Sequence, residues 1–104
     1  MAWIYLLIAG LLEIAWAIGL KVSHGFTRPL SATVTILLML ASFWFLSKAV
    51  QMIPIGTAYA VWTGIGAAGT AIAGMILFQE PTTWIRLVCI VLIVAGIVGL
   101  KISV

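Results

Sequence analysis

Charged residues are scarce in this sequence, and acidic ones are almost absent. Its 104 residues include two Asp and Glu against five Lys and Arg, only 7% are charged, and 65% are hydrophobic. With a mean hydropathy of +1.36, the chain cannot be an ordinary water-soluble domain, and its composition indicates a protein embedded in a lipid bilayer. The bases stand singly rather than in a patch, so the sequence predicts no binding to nucleic acid.

The groups needed by enzymes and metal sites are missing as well. The one cysteine, Cys89, can form neither an intrachain disulfide nor a metal cluster. No nucleophile stands with a base, and the sequence has no glycine-rich phosphate loop. We therefore predict a protein that is not an enzyme and that has no cofactor or metal.

Long apolar runs make up most of the chain. Four runs, each long enough to cross a bilayer as a helix, are separated by short polar breaks; they span residues 2–20, 30–47, 55–78 and 84–100. The first run has no basic residues before it, contains an acid and is followed by three more such runs, so we expect it to stay in the mature chain rather than be cleaved as a signal peptide. The sequence predicts an all-α membrane protein with four transmembrane helices in a single domain, residues 1–104.

Glu13 is the only acid inside any of these runs. It lies near the middle of residues 2–20, so a helix there would place its carboxylate deep in the bilayer. Inserting an acid at that depth costs about 2.5–3.5 kcal/mol, and such a residue is by default a candidate functional site. A protonated Glu13 that only hydrogen-bonds a neighbouring helix is the structural alternative.

Residues at helical spacing from Glu13 are candidates for the same pocket. Gly10 would leave room beside the acid, and Trp16 could donate its indole N–H to the carboxylate or simply pack. Ser42, near the middle of the second run, can bond a carbonyl of its own helix or reach across to a partner. Tyr59 and Trp62 share one face of the third helix and could form an aromatic wall for a cation.

Small residues mark candidate points of movement and of assembly. Gly64 and Gly66 make the third helix easy to bend, which suggests a hinge, although close packing alone also explains them. Cys89 and Gly96, seven residues apart on the fourth helix, suit a helix–helix dimer contact. Because four helices enclose little space, we expect at least a dimer, with the pocket at or near its interface.

The basic residues give almost no orientation signal. Two of them lie on one side of the membrane and three on the other, so the positive-inside rule favours neither orientation and insertion in both is predicted. A fixed orientation with the first and third breaks in the cytoplasm is the alternative. Lys48 and Arg86 are interpreted as interface anchors, and His24 and Glu80 as solvated residues without a chemical role.

Two segments resemble the small multidrug resistance family. They are Gly10-Leu-Leu-Glu-Ile-Ala-Trp-Ala and Pro54-Ile-Gly-Thr-Ala-Tyr-Ala-Val-Trp-Thr-Gly-Ile-Gly, and the likeness covers essentially the whole chain. Trp16, Ser42 and Lys101 resemble the guanidinium-exporter branch rather than the branch that exports quaternary ammonium compounds. Cys89 departs from the family pattern, in which many members have a glycine at that dimer contact.

This resemblance implies a multi-pass transporter in the cytoplasmic membrane of a prokaryote. It would be an antiparallel homodimer of dual topology, exporting guanidinium and small guanidinyl cations in exchange for protons. In such a dimer, both copies of Glu13 bind substrate or protons in turn. Trp16 and Ser42 hydrogen-bond around the acid, while Tyr59 and Trp62 line or gate the pocket.

Elementary physics agrees with that mechanism. Two carboxylates in one dry cavity repel each other, and either protons or a cation can relieve the repulsion, but not both together. Guanidinium meets a carboxylate through a flat, two-pronged hydrogen bond that an alkylammonium without N–H groups cannot make. The competing hypotheses are a quaternary ammonium exporter of the same family, a membrane assembly subunit that transports nothing, and one half of a heterodimer.

Overall fold

The computed structural model describes residues 1–103, which form four helices: α1 (Ala2–Val22), α2 (Pro29–Ala49), α3 (Ile55–Leu77) and α4 (Trp84–Ser103). All four are long and apolar enough to cross a membrane. The predicted all-α architecture with four candidate spans is confirmed. Each helix measures about 30–35 Å at the usual rise of 1.5 Å per residue.

Prolines stand where two of the helices begin. Pro29 occupies the first turn of α2, and Pro54 directly precedes α3; in these positions a proline breaks no helical hydrogen bond. After α1, the buried Ser23 ties the turn together, because its hydroxyl donates to the carbonyl of Leu20 and accepts from the N–H of Phe26, both at 3.1 Å. The chain therefore reverses within a few residues.

The helices form a flat layer rather than a closed bundle. The principal extents are 41 × 35 × 16 Å, so the layer is thicker than one helix with its side chains, about 10–12 Å, but thinner than two such helices stacked. Helix α1 lies between α2 and α3 and packs against both, whereas the backbone of α4 packs within the described chain only against α3. Ile90 is the single residue of α4 that the subunit buries.

The core lies between the first halves of α1 and α3 and the end of α2. It contains Leu6 and Ala9 from α1, Ala49 from α2, and Ala58, Val61 and Trp62 from α3. This packing fixes the relative height of the three helices. It brings the middle of α1, with Glu13, against the middle of α3.

Candidate functional site

Glu13 lies in a groove of about 460 Å³ between α1 and α3. Its side chain rests on Gly66, where a Cβ atom would collide with the carboxyl group. The absence of a side chain at that position lets the acid lie directly against the backbone of α3. Glycine at residue 66 therefore gives the carboxylate its place in the groove.

The carboxylate is without a hydrogen-bond partner in the part of the chain that the structure describes. Oε1 of Glu13 is buried and accepts no hydrogen bond from residues 1–103. A buried acceptor of this kind is costly to leave unpaired. The site is therefore suited to a proton, a cation with N–H groups, or a donor from a second chain.

A polar cluster joins α1, α2 and α3 one helical turn from Glu13. The indole N–H of Trp62 donates to the hydroxyl of Ser42 at 3.1 Å, and that hydroxyl donates to the carbonyl of Ala9 at 2.8 Å. All of these groups are buried. Of the two predicted alternatives for Ser42, the structure shows the one in which it reaches across to another helix, here α1. Its only hydroxyl hydrogen is donated to the carbonyl of Ala9 and not to Glu13.

A row of four aromatic rings includes Trp62 and runs from Trp16 to Tyr59. Trp16 contacts Phe43 with ring centroids 6.4 Å apart, Phe43 contacts Trp62 at 5.8 Å, and Trp62 contacts Tyr59 at 5.7 Å. Edge and tilted geometries of this kind stabilise aromatic pairs. Phe43 was not among the residues predicted for the site, and its only signal in the sequence was its place next to Ser42.

Charged groups lie at the far end of the Glu13 groove. Arg86 of α4 donates to the carboxylate of Glu80 at 2.5 Å, and both side chains line the groove together with Lys21. The ammonium group of Lys21 stands 4.6 Å from the centroid of the Phe78 ring. One groove therefore contains the acid at depth and an ion pair at its mouth.

The family model described as Small Multidrug Resistance protein matches residues 1–93. The chain belongs to the small multidrug resistance family. Membership and the four apolar helices together make it a multi-pass membrane protein. The resemblance inferred from the sequence is thereby confirmed.

Three similar relatives carry the same name. A protein named guanidinium exporter from Citrobacter freundii is 58% identical over 103 residues, covering 99% of this chain and 98% of its own. Proteins of the same name from Yersinia pestis and Salmonella typhimurium strain LT2 are each 55% identical over 103 residues, covering 99% of this chain and 99% and 98% of their own lengths respectively. These names describe transporters, which is consistent with the prediction that the chain is not an enzyme.

Three residues near Glu13 have surroundings that differ from those predicted. A Cβ on Gly10 would meet the side chain of Ile65, so the space beside Gly10 is used by α3 and not by a pocket. The predicted hydrogen bond from Trp16 to Glu13 is not formed in this subunit, since neither the indole nitrogen nor Oε1 has a partner among residues 1–103. Gly66, predicted only as a hinge, is the glycine that accommodates the carboxylate.

The predicted hinge and dimer contact lie in contrasting surroundings. Gly64 packs against Ile97 of α4, whose side chain would be 3.0 Å from a Cβ, and α3 is continuous through both Gly64 and Gly66. Cys89 is exposed, and a Cβ on Gly96 would meet nothing within 4 Å in this subunit. The hinge and the dimer contact stay predictions.

Two charged residues have a partner that was not predicted. Glu80 and Arg86 form an ion pair, and both side chains stay about one-third exposed, at 36% and 32%. Thr63 and Thr70, which line the groove, were also missed. The available signals were opposite charges six residues apart, and a threonine four residues after Gly66 on the same face of α3.

Proposed function

We propose that this protein exports guanidinium and small guanidinyl cations in exchange for protons, by alternating access. The observation that carries the proposal is the buried, unpartnered Oε1 of Glu13 at mid-helix depth. An acid held there without a partner lowers the stability of the fold, so its presence points to a function. The names of relatives that are 55–58% identical support guanidinium as the cation.

The shape of guanidinium matches what Glu13 offers. A planar cation with N–H groups along its edge donates two parallel hydrogen bonds to one carboxylate. It would satisfy the acceptor that the subunit leaves unpaired. A quaternary ammonium ion has no N–H group, so it would neutralise the charge without supplying a donor.

Exchange with protons follows from two copies of Glu13 in one pocket. In an antiparallel homodimer, the two carboxylates would repel each other in a site that excludes water. Protonation and cation binding each relieve that repulsion, and each excludes the other. Reorientation of the loaded dimer then exposes the same site to the two sides of the membrane alternately.

Several features support assembly into such a dimer. The subunit is a layer only 16 Å thick, and α4 is almost entirely uncovered in it. Cys89 and Gly96 lie on this uncovered helix, where small side chains allow close helix contact. The nearly balanced basic residues favour opposite insertion of the two copies.

Trp16, Ser42, Tyr59 and Trp62 complete the proposed pocket. The indole N–H of Trp16 is unpartnered within residues 1–103, so it is available to a carboxylate in the loaded dimer. Ser42 would serve Glu13 by turning its hydrogen away from Ala9. Tyr59 is exposed next to the buried Trp62, where it can line or gate the entrance.

Uptake into proteoliposomes tests this function. Purified protein reconstituted with a pH gradient should accumulate labelled guanidinium against its gradient, and dissipating the pH gradient should stop accumulation. Glu13→Gln should be inactive. Stronger competition by tetraethylammonium than by unlabelled guanidinium would favour a quaternary ammonium exporter. Absence of any pH-dependent uptake or binding would favour a subunit that transports nothing.

A further inference from the structure

Both glutamates of the chain lie against glycines on one face of α3. A Cβ on Gly66 would collide with the carboxyl group of Glu13, and a Cβ on Gly74 would collide with that of Glu80. These glycines are eight residues apart, which places them about 12 Å apart along the helix axis and on the same side of it. The two carboxylates therefore occupy successive positions along one groove.

Thr70 stands midway between these two positions. It is four residues from each glycine, so it shares their face of α3, and it lines the same groove. Its buried Oγ1 has no hydrogen-bond partner among residues 1–103. A threonine within a helix usually bonds the carbonyl four residues earlier, as Thr33 and Thr35 do in α2. The Thr70 hydroxyl makes no such bond within the described residues.

The outer carboxylate already holds a guanidinium group. Arg86 donates from Nη2 to Oε1 of Glu80 at 2.5 Å, and its own Nε is buried without a partner. The Arg86 side chain therefore engages Glu80 at one nitrogen, and its Nε has no acceptor in the described chain. A free guanidinium ion carries the same N–H groups and could replace it on Glu80.

We propose that Glu80 is an outer binding site for guanidinium-type cations on the path to Glu13. Arg86 fills this site as a tethered competitor when no cation is present, and Thr70 offers an oxygen acceptor between the two carboxylates. The inference rests on the proposed function, because it assumes that cations reach Glu13 through this groove. It adds a second station that acts before the exchange at Glu13.

Only two side chains in the sequence carry carboxylates, so NMR can observe each station separately. Protein labelled at the glutamate side-chain carboxyl carbon should give two side-chain carboxyl signals, and Glu13→Gln identifies the one from Glu80. In a titration with guanidinium chloride at constant ionic strength, both signals should move. In Arg86→Gln, the midpoint for Glu80 should fall about fivefold or more, because a charge-assisted bond no longer competes.

Matched controls separate this effect from a general change in charge. Lys48→Gln removes one positive charge from the end of α2, where the ammonium group stands 5.2 Å from the Trp44 ring centroid, and should leave the Glu80 midpoint unchanged. Arg86→Lys, which keeps the charge but loses the planar group, should give an intermediate midpoint. Tetramethylammonium at equal concentration should move the Glu80 signal less than guanidinium does.

The two signals report on different claims. The outer site would be overturned if the Glu80 signal did not move while the Glu13 signal did, or if Glu80 responded equally to guanidinium and tetramethylammonium. Either result would leave the proposed function standing. A still Glu13 signal would overturn the proposed function, and with it the path.

Uptake measurements test Thr70. Thr70→Val should lower initial guanidinium uptake at limiting concentration about threefold or more, while Thr33→Val, at an exposed position, should not. Equal uptake by the two variants would remove Thr70 from the path.

Discussion

Trp62 donates a hydrogen bond from its indole N–H to the hydroxyl of Ser42 at 3.1 Å, and that hydroxyl donates to the carbonyl of Ala9. This chain of two bonds joins α1, α2 and α3 beside the acid. It makes Ser42 both an acceptor and a donor in the interior, so the hydroxyl can turn to Glu13 only by releasing Ala9.

Ser42→Ala should shift selectivity away from guanidinium. If the hydroxyl turns to orient Glu13 in the loaded protein, its loss weakens guanidinium binding by about 1.5–3 kcal/mol, the usual value for a bond to a charged group. A quaternary ammonium ion makes no directional bond and should lose less. Tryptophan fluorescence titrations with both cations at one pH measure the ratio, and equal weakening would contradict an orienting role.

Glu13→Gln should abolish proton release on addition of guanidinium while the dimer stays assembled. Glutamine keeps the shape of the side chain but can neither ionise nor attract a cation. Release is measured in weakly buffered detergent solution, with sodium chloride as the ion control, and assembly is measured by size-exclusion chromatography. Proton release by the variant would place the coupling site elsewhere.

Guanidinium affinity should fall as pH falls. Protons and the cation compete for the same carboxylate, so where Glu13 is protonated the apparent Kd should rise about tenfold per pH unit for each proton displaced. Glu13→Gln is the control for effects of pH on stability or solubility, and it should bind guanidinium weakly at every pH. An affinity that does not depend on pH would contradict competition at one site.

Gly66→Ala should abolish guanidinium binding without unfolding the protein. The added methyl group would occupy the place of the Glu13 carboxyl group, whereas alanine is intrinsically better than glycine in a helix by about 1 kcal/mol. Gly56→Ala is the matched control, since a Cβ there meets nothing within 4 Å. Binding that survives alongside slower transport would instead favour the hinge interpretation of Gly66.

The two copies should insert in opposite orientations. Replacing Ser103 by cysteine in a Cys89→Ala background gives one thiol near the end of α4. A membrane-impermeant reagent should label part of the protein from outside the cell and the rest only after permeabilisation. Labelling entirely from one side would exclude dual topology.

The spans and the acid could be predicted because they depend on local sequence. A run of apolar residues long enough for a bilayer determines a helix, and its midpoint determines the depth of Glu13. The partners of Ser42 could not be predicted in this way. They depend on how α1, α2 and α3 meet, which the spacing within each helix does not specify.

The ion pair at the groove mouth was missed for a different reason. Gln79 adopts a left-handed backbone conformation with φ of 56°, and the N–H of Glu80 bonds back to the carbonyl of Gly74 at 3.3 Å. This reversal brings the Glu80 side chain over α3. Non-glycine residues adopt such a conformation infrequently, so sequence patterns gave no reason to expect it.

The position of α1 between α2 and α3 has a consequence for biosynthesis. Helix α1 needs α2 on one side and α3 on the other, and these emerge from the ribosome one after the other. After α2 has been released, the side of α1 that carries Glu13 still faces lipid or the insertion machinery. The costly acid is covered within the subunit only when α3 arrives with Gly66, so insertion of the third helix is the step that takes Glu13 out of contact with lipid.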